Sequence, residues 1–422
     1  MKIIILSHER SLNKTEAILK TFANEEVYLI IDNYPPKGKK EYINIANIHV
    51  VKSFNIVEIV KRIPKCDKIF TTSENLLIVQ SQLESYYGIQ NLTPYAAKVL
   101  SNKQLFDDHC RLIGLDIFIP NSKIVTFPDQ LKQFGNKPIF TKPDIGTGGI
   151  SLMQTDEHED FNIEYRSWNN RHHFLDYIKE KDFHSKFFEL NKAGIPLARY
   201  NYEPGRIMFQ EYMPSDGPSI APCGLIKDGK LKILYYLKNE KTQQGKYVQR
   251  DRGVWTLDKN EINEKWISQI NYFMEAIVET LDIKELFFAG PDFHLVNDKL
   301  IAIDFNPRLG QFSNVINNLN KDFLYNGYNG IEQNIKHVLW QCAELKPGLV
   351  KSVDEEKLSR IKQYINSENH ELKAGITIPK FPNLQNRKFS YNLNIVGDTE
   401  KQLITTFKRV NQLLQDCIEY VT

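Results

Sequence analysis

The sequence predicts mixed α/β and α+β architecture, a parallel sheet first and antiparallel strands later, and three stretches carry that expectation. Strand and helix patterns alternate through residues 1–95. A glycine-rich segment, Gly146-Thr147-Gly148-Gly149, falls between two strand patterns. The stretch from Phe287 to Gln311, FFAGPDFHLVNDKLIAIDFNPRLGQ, reads as two short strands around a turn, with an acid on each.

In the first stretch, Lys2–Leu6, Glu26–Ile31, Ile48–Val51 and Lys68–Thr72 read as buried strands, and Leu12–Ala23, Val57–Ile63 and Leu76–Tyr87 carry helical apolar spacing. Strands alternating with helices require crossovers, which give a parallel, Rossmann-like lobe. After the first strand comes Ser7-His8-Glu9-Arg10 rather than a glycine turn, so no dinucleotide site is expected. Thr72-Ser73-Glu74-Asn75 lies at a strand end where such sheets bind ligands, but a helix cap before Leu76 is the preferred reading.

Thr93–Gly114 reads as one or two helices carrying Lys103, and a lone lysine on a helix is ordinarily solvated. Pro138–Lys142 and Ile150–Gln154 read as strands flanking the glycine loop. A glycine loop between strands is neither a P-loop nor a Rossmann turn, since both lead into a helix. Its backbone N–H groups can approach an anion, with Lys142 supplying charge, or it is simply a hairpin tip. Residues 156–204 read as a charged, aromatic insertion, a lid or a surface helix. Arg206–Met213 reads as a strand, Cys223–Leu237 as a hairpin turning at Asp228-Gly229, and Lys241–Arg252 as a polar run with Arg250 and Arg252. Trp266–Leu281 is an amphipathic helix; helices are expected over 330–365, strands over Ala374–Ile378 and Tyr391–Val396, and a closing helix over Lys401–Cys417.

In the acidic hairpin, alternation puts Phe293 and Leu295 on one face and Asp292 and His294 on the other; Ile301, Ile303 and Phe305 share a face opposite to that of Ala302 and Asp304. A three-residue turn, Asn297-Asp298-Lys299, sets Phe293 opposite Ile303 and Asp292 opposite Asp304, with Cβ atoms about 5 Å apart. A two-residue turn would shift the pairing by one and split the acids. Paired carboxylates followed by Asn306 and Arg308 suit a hard cation shared with phosphates. The bland alternative is a surface hairpin with scattered acids.

Composition bounds the rest. The chain has 422 residues, 41% hydrophobic and 25% charged, enough for two or three domains. A net charge of +2 gives no case for nucleic acid or an anionic membrane as partner. Five cysteines without metal or redox spacing suggest reduced thiols in a cytoplasmic protein. No secretory signal and no apolar run of about 18 residues is read.

In this order the pieces resemble the ATP-grasp family of carboxylate–amine ligases over nearly the whole chain. The resemblance implies an ATP-grasp fold with a Rossmann-like N-terminal domain at 1–95, a helical link at 96–121, a small lobe with flap and insertion at 122–225, and a large lobe with a C-terminal subdomain at 226–422. It implies ATP as a substrate, held by Lys103 (Ser-Asn-Lys-Gln-Leu), Lys142 (Phe-Thr-Lys-Pro), the flap Gly146, Thr147, Gly148 and Gly149, and the hinge Gln210, Glu211, Tyr212 and Met213. Ser219 stands where many members carry the ribose-binding acid, with Asp216 as a substitute. Asp292, Asp304 and Asn306 match the ligands of Mg2+ (two ions, with Mn2+ as an alternative), and Arg308 matches the arginine facing the transferring phosphoryl group. Arg250 or Arg252 is expected to hold a substrate carboxylate or the acyl phosphate, the alternative being two solvated arginines. The function implied is ATP-dependent joining of an acid and an amine through an acyl phosphate, in the manner of L-amino-acid ligases, by a homodimer acting on small molecules. A carboxylase or purine-pathway enzyme and a non-catalytic nucleotide-binding regulator are the alternatives.

Overall fold

The computed structural model describes residues 1–8, 12–33, 46–134, 139–145, 192, 206–213, 215–244, 248–257, 261–308, 337–365, 367–369, 372–378 and 392–421. The glycine loop, the strand expected at Ile150–Gln154 and nearly all of the 156–204 insertion lie outside them.

Strands β1 (Lys2–Ser7), β2 (Glu26–Ile31), β3 (Asn47–Val50) and β4 (Lys68–Thr71) form a parallel sheet in the order β3-β2-β1-β4, with helix α1 (Leu12–Thr21) crossing from β1 to β2, α2 (Ile56–Val60) from β3 to β4, and α3 (Leu77–Tyr87) following β4. Alternation along β1 sends Ile3 and Ile5 to one core and Ile4 and Leu6 to another. Both faces are covered, which is why the strand reads as a continuous apolar run. The Ile3 face packs against strands of the large sheet through Phe70, Phe287, Leu225 and Tyr235, so this lobe and the large one share a core.

Two helices follow, α4 (Pro94–Ser101) and α5 (Lys103–Leu112), broken at Asn102. Thr93 and Asn102 are their N-caps, accepting from the N–H groups of Ala96 and Leu105. Strands β5 (Ser122–Ile124), β6 (Ile139–Pro143) and β7 (Ile207–Glu211) make a small antiparallel sheet with β7 central.

The large sheet has nine strands among the described residues: β8 (Ser219–Lys227), β9 (Lys230–Gln244), β10 (Val248–Leu257), β11 (Glu285–Ala289), β12 (Asp292–Val296), β13 (Lys299–Asp304), β14 (His337–Cys342), β16 (Ser367–Asn369) and β18 (Asn392–Gly397). Helix α6 (Glu264–Thr280), α7 (Glu355–Ile361) and α8 (Glu400–Gln415) contribute to the core on its other face. A further small sheet joins β15 (Gly348–Val353), β17 (Thr377–Ile378) and β19 (Ile418–Tyr420).

Four expectations are corrected. The boundary at 225 falls inside β8, which pairs only within the large sheet; the change of sheet comes between β7 and β8. The polar run at 241–252 continues β9 and β10 as a long hairpin. Over 337–353, where helix was expected, the chain forms β14 and β15. β14 lies between β10 and β18 and is buried on both faces, so His-Val-Leu-Trp-Gln-Cys lacks the alternation that marks a strand.

The fourth correction concerns the acidic hairpin. Val296 pairs with Lys299, so the turn has two residues, Asn297 and Asp298, with φ of +49° and +59°. That is the handed turn favoured in tight hairpins. Pairing therefore slips as alternation warned: Phe293 faces Ala302, not Ile303, and Leu300 and Ala302 join Phe293 in the core. A β-bulge at Ile303 then inserts one residue and restores Asp292 opposite Asp304. The acids meet by a different route from the one the pattern suggested.

Candidate active site

The bulge residue is also where the lobes touch. Lys142, 5% exposed, extends from β6 and donates from Nζ to the Ile303 carbonyl at 2.6 Å. Lys103, at the N-terminus of α5 and 8% exposed, places Nζ 3.7 Å from Asp304 Oδ1 and 3.7 Å from Glu74 Oε1. Arg308 places Nε 3.8 Å from Glu74 Oε2 and donates from Nη2 to Asn306 Oδ1 at 3.0 Å. Lys103, Lys142, Asp304, Asn306 and Arg308, named from widely separated stretches of sequence, thus converge, with Asp292 across the hairpin.

Backbone geometry fixes these positions. Asp144 ties the base of the flap to α5: its carbonyl accepts from Lys103 N at 2.7 Å, Oδ2 from Asn102 Nδ2 at 3.1 Å, and Oδ1 from Arg206 N at 2.7 Å. Gly290 adopts φ +127°, with Asn306 N only 3.3 Å from where a Cβ would stand, so the turn into β12 requires glycine. Asp292 Oδ1 accepts from Asn239 Nδ2 at 3.1 Å and Oδ2 lies 3.9 Å from His294 Nε2.

The electrostatics are those of opposed charges out of water. Burial lowers the Lys142 pKa, opposed by Asp304 and Asp107. Burial pushes the Asp107 carboxyl up to about 6, against the pull of Lys142 and a hydrogen bond from Ser122. Arg111 in turn donates to Ser122 Oγ at 2.8 Å, closing a buried chain from surface guanidinium to the lysine. Glu74, 2% exposed, is raised by burial and held down by Lys103 and Arg308.

Other expected residues stand as follows. Gly146, Thr147, Gly148 and Gly149 lie outside the described residues. Arg250 and Arg252 fall on β10, their side chains outside the described part. Gln210 is buried opposite Ser122, and its Nε2 has no hydrogen-bond partner among the described residues. The hinge backbone is partly engaged: Glu211 N donates to Asn121 O at 2.7 Å, and His294 Nδ1 donates to Met213 O at 2.6 Å. Tyr212 follows the end of β7. Ser219 is fully buried, and its hydroxyl likewise has no partner among the described residues. Asp216 Oδ2 caps the hairpin by accepting from Asn297 N at 2.7 Å.

Glu74 is the residue the helix-cap reading passed over. Ser73 holds the N-cap position but makes no side-chain cap bond, and Glu74 turns into the cluster. Its position at the end of a parallel strand was the signal available. Asn239, Asp107 and Asp144 carried none, since each acts through contacts with residues distant in sequence.

A divalent cation would find oxygen donors here. Asp304 Oδ1 is buried with no hydrogen-bond partner among the described residues, beside Asn306 and opposite Asp292. Two carboxylates and an amide oxygen are the donor set of a hard ion. Among the described residues no group of three or more His, Cys, Asp and Glu gathers as a metal site, here or elsewhere, so an ion at this position would rest on two carboxylates and the Asn306 amide.

The architecture is that of the ATP-grasp fold. An L-amino acid ligase from Bacillus licheniformis superposes with a TM-score of 0.66 at 12% identity, covering 100% of this chain and 99% of that one. The N5-carboxyaminoimidazole ribonucleotide synthetase of Thermotoga maritima gives 0.57 at 13% identity over 100% and 99%. The phosphoribosylglycinamide synthetase of Anaerococcus prevotii gives 0.56 at 13% identity, also over 100% and 99%. No protein-family model and no curated protein sequence matches the chain.

Proposed function

We propose that the protein is an ATP-dependent ligase that joins a carboxylate to an amine through an acyl phosphate, with an amino acid as the activated acid. The observation that carries this reading is the convergence of three cations at the end of the acidic hairpin: Lys103 beside Asp304 and Glu74, Lys142 on the Ile303 carbonyl, and Arg308 on Asn306 and Glu74. Three cations around carboxylates, with no Ser-His-Asp arrangement in this cluster among the described residues, suit phosphoryl transfer, which needs charge neutralisation more than covalent catalysis.

A carboxylate is a poor electrophile. Transfer of the ATP γ-phosphoryl group to its oxygen gives an acyl phosphate, and attack by the amine then expels phosphate. In this reading Lys142 and Lys103 hold phosphate oxygens, Arg308 faces the transferring group, and residues 210–213 hold the base. Asp292, Asp304 and Asn306 would hold Mg2+, which would supply positive charge to neutralise phosphate oxygens. The glycine segment at 146–149 would exclude water from the acyl phosphate. Arg250 and Arg252 are proposed contacts for the substrate carboxylate. The five cysteines, all buried and unbridged, fit a reducing cytoplasm.

The likeness to purine-pathway synthetases supports a second reading, in which bicarbonate or a ribonucleotide amine is the substrate. The test is ADP and phosphate release from ATP and Mg2+ with single amino acids, pairs of amino acids, or bicarbonate. Release that requires amino acids supports the ligase; release that requires bicarbonate supports the second reading. Nucleotide binding without release in any mixture would overturn both.

A further inference from the structure

The amine must arrive somewhere, and it must lose a proton. At neutral pH an aliphatic amine is an ammonium with no lone pair to attack an acyl phosphate. In the phosphoryl-transfer cluster Lys103, Lys142 and Arg308 are cations, and Asp292 and Asp304 face the cation position. Glu74 lies between Lys103 and Arg308. His294 is tied to the Met213 carbonyl and to Asp292. A second polar cluster lies one residue from Glu74 and takes no part in that machinery.

It sits where the parallel sheet reverses. β2 and β3 lie on one side of β1 and β4 on the other, so the carboxyl ends of β1 and β4 bound the topological switch point, the place where open parallel sheets bind ligands. His8 follows β1, Asp32 follows β2, and Glu74 and Asn75 follow β4. His8 is 2% exposed, its ring edge-on to Phe54 at 5.4 Å. Nδ1 lies 2.8 Å from Asp32 Oδ2, and Nε2 lies 3.2 Å from Asn75 Nδ2. A carboxylate at Nδ1 fixes the proton there, so in the neutral ring Nε2 is the acceptor. Beneath the cluster, Ser7 and Thr15 hydroxyls at 2.8 Å, and Thr15 and Thr72 hydroxyls at 3.4 Å, lock β1, α1 and the loop after β4 together. Asn75 is half-buried and forms the outer edge. The chain therefore turns Glu74 into the phosphoryl site and Asn75 onto the imidazole from adjacent positions.

The geometry points to His8, Asp32 and Asn75 as the subsite for the amine substrate, with His8 as its proton acceptor; this rests on the ligase reading above. The ammonium displaces Asn75 from Nε2 and passes one proton to His8, whose imidazolium Asp32 stabilises. The freed lone pair forms the N–C bond to the acyl carbon. The C–O bond to phosphate breaks, its electron pair leaving on the phosphate oxygen. The departing phosphate takes the second amine proton, and His8 returns the first to solvent. Atoms and charge balance without another reactant. The subsite takes a primary amine, its ammonium drawn to the anionic Asp32 side of the cluster.

Hydroxylamine separates the steps, because it is already uncharged near neutral pH and traps the acyl phosphate as a hydroxamate without needing a base. Full-length His8→Asn and Asp32→Asn proteins are assayed for hydroxamate formation and for amide formation with the amino-acid pool. The expected result for His8→Asn is hydroxamate formation within twofold of wild type and amide formation down about 100-fold. Asp32→Asn should show the same split at about tenfold. If both products fall together in either variant, or if neither falls, the inference is overturned. If the wild type forms no hydroxamate from any carboxylate, the ligase reading fails and takes the inference with it.

Discussion

Glu84 offers a prediction that can be worked through from the structure. It lies on α3 at 0% exposure, where the Rossmann-like lobe meets β11. Oε1 accepts from Gln80 Nε2 at 3.0 Å and Asn91 Nδ2 at 3.5 Å, while Oε2 has no partner among the described residues. Burial raises its pKa from 4.5 to about 8, with the Glu285 charge adding to the rise and the two amides opposing it. A carboxyl protonated in the folded protein and ionised in the unfolded chain stabilises fully below pH 4.5, and that stability is lost as pH rises towards about 8. Between about pH 5 and about pH 7.5 the loss should come to about 3 kcal/mol. Glu84→Gln keeps the shape and cannot ionise. Its unfolding free energy, followed by tryptophan fluorescence in urea, should lack this slope, so the variant overtakes the wild type as pH rises. ADP release near pH 6 should be unchanged, since Glu84 touches none of the converging cations. Parallel stability curves for the two proteins across the window would refute the reasoning, because they would mean that Glu84 is ionised when folded.

Three further outcomes are expected. Gly290→Ala should lower stability by about 1–3 kcal/mol, because φ is +127°, and should raise the Mg2+ concentration needed for turnover by pushing on Asn306; thermal denaturation and a Mg2+ titration measure both. Asp304→Asn should cut ADP release by about 100-fold or more while the melting temperature stays close to wild type, and activity within tenfold would count against its role. Asp298→Gly should raise stability by about 0.5 kcal/mol, since φ is +59° in a two-residue turn and the Lys265 ion pair it loses is exposed.

What could be read from the sequence follows from how local each signal is. The alternation in residues 1–95 rests on side-chain periodicity within each element, and β1, β2 and β4 fall within a residue of where it places them. The pairing of Asp292 with Asp304 was legible because both are held on one hairpin. Its turn length was not, because a bulge compensates a slip and leaves the end state the same. β14 escaped because a strand covered on both faces has no period. Glu74 was misjudged because Ser-Glu-Asn before an apolar run is also what a helix start looks like; only the lysine and arginine from elsewhere in the chain tell the two apart. The turn contact of Asp216 was illegible for the converse reason: its partner is a backbone N–H 81 residues on.

One bond described above sets the resting state of the cleft. The Lys142 ammonium gives one of its three N–H donors to the Ile303 carbonyl and so bridges the two jaws. In the proposed ligase a phosphate would meet an ammonium already anchored at that carbonyl, with two donors left for its oxygens. A charged hydrogen bond of this kind is worth about 1.5–3 kcal/mol, so the anchor holds the ammonium in place without withdrawing it from a ligand.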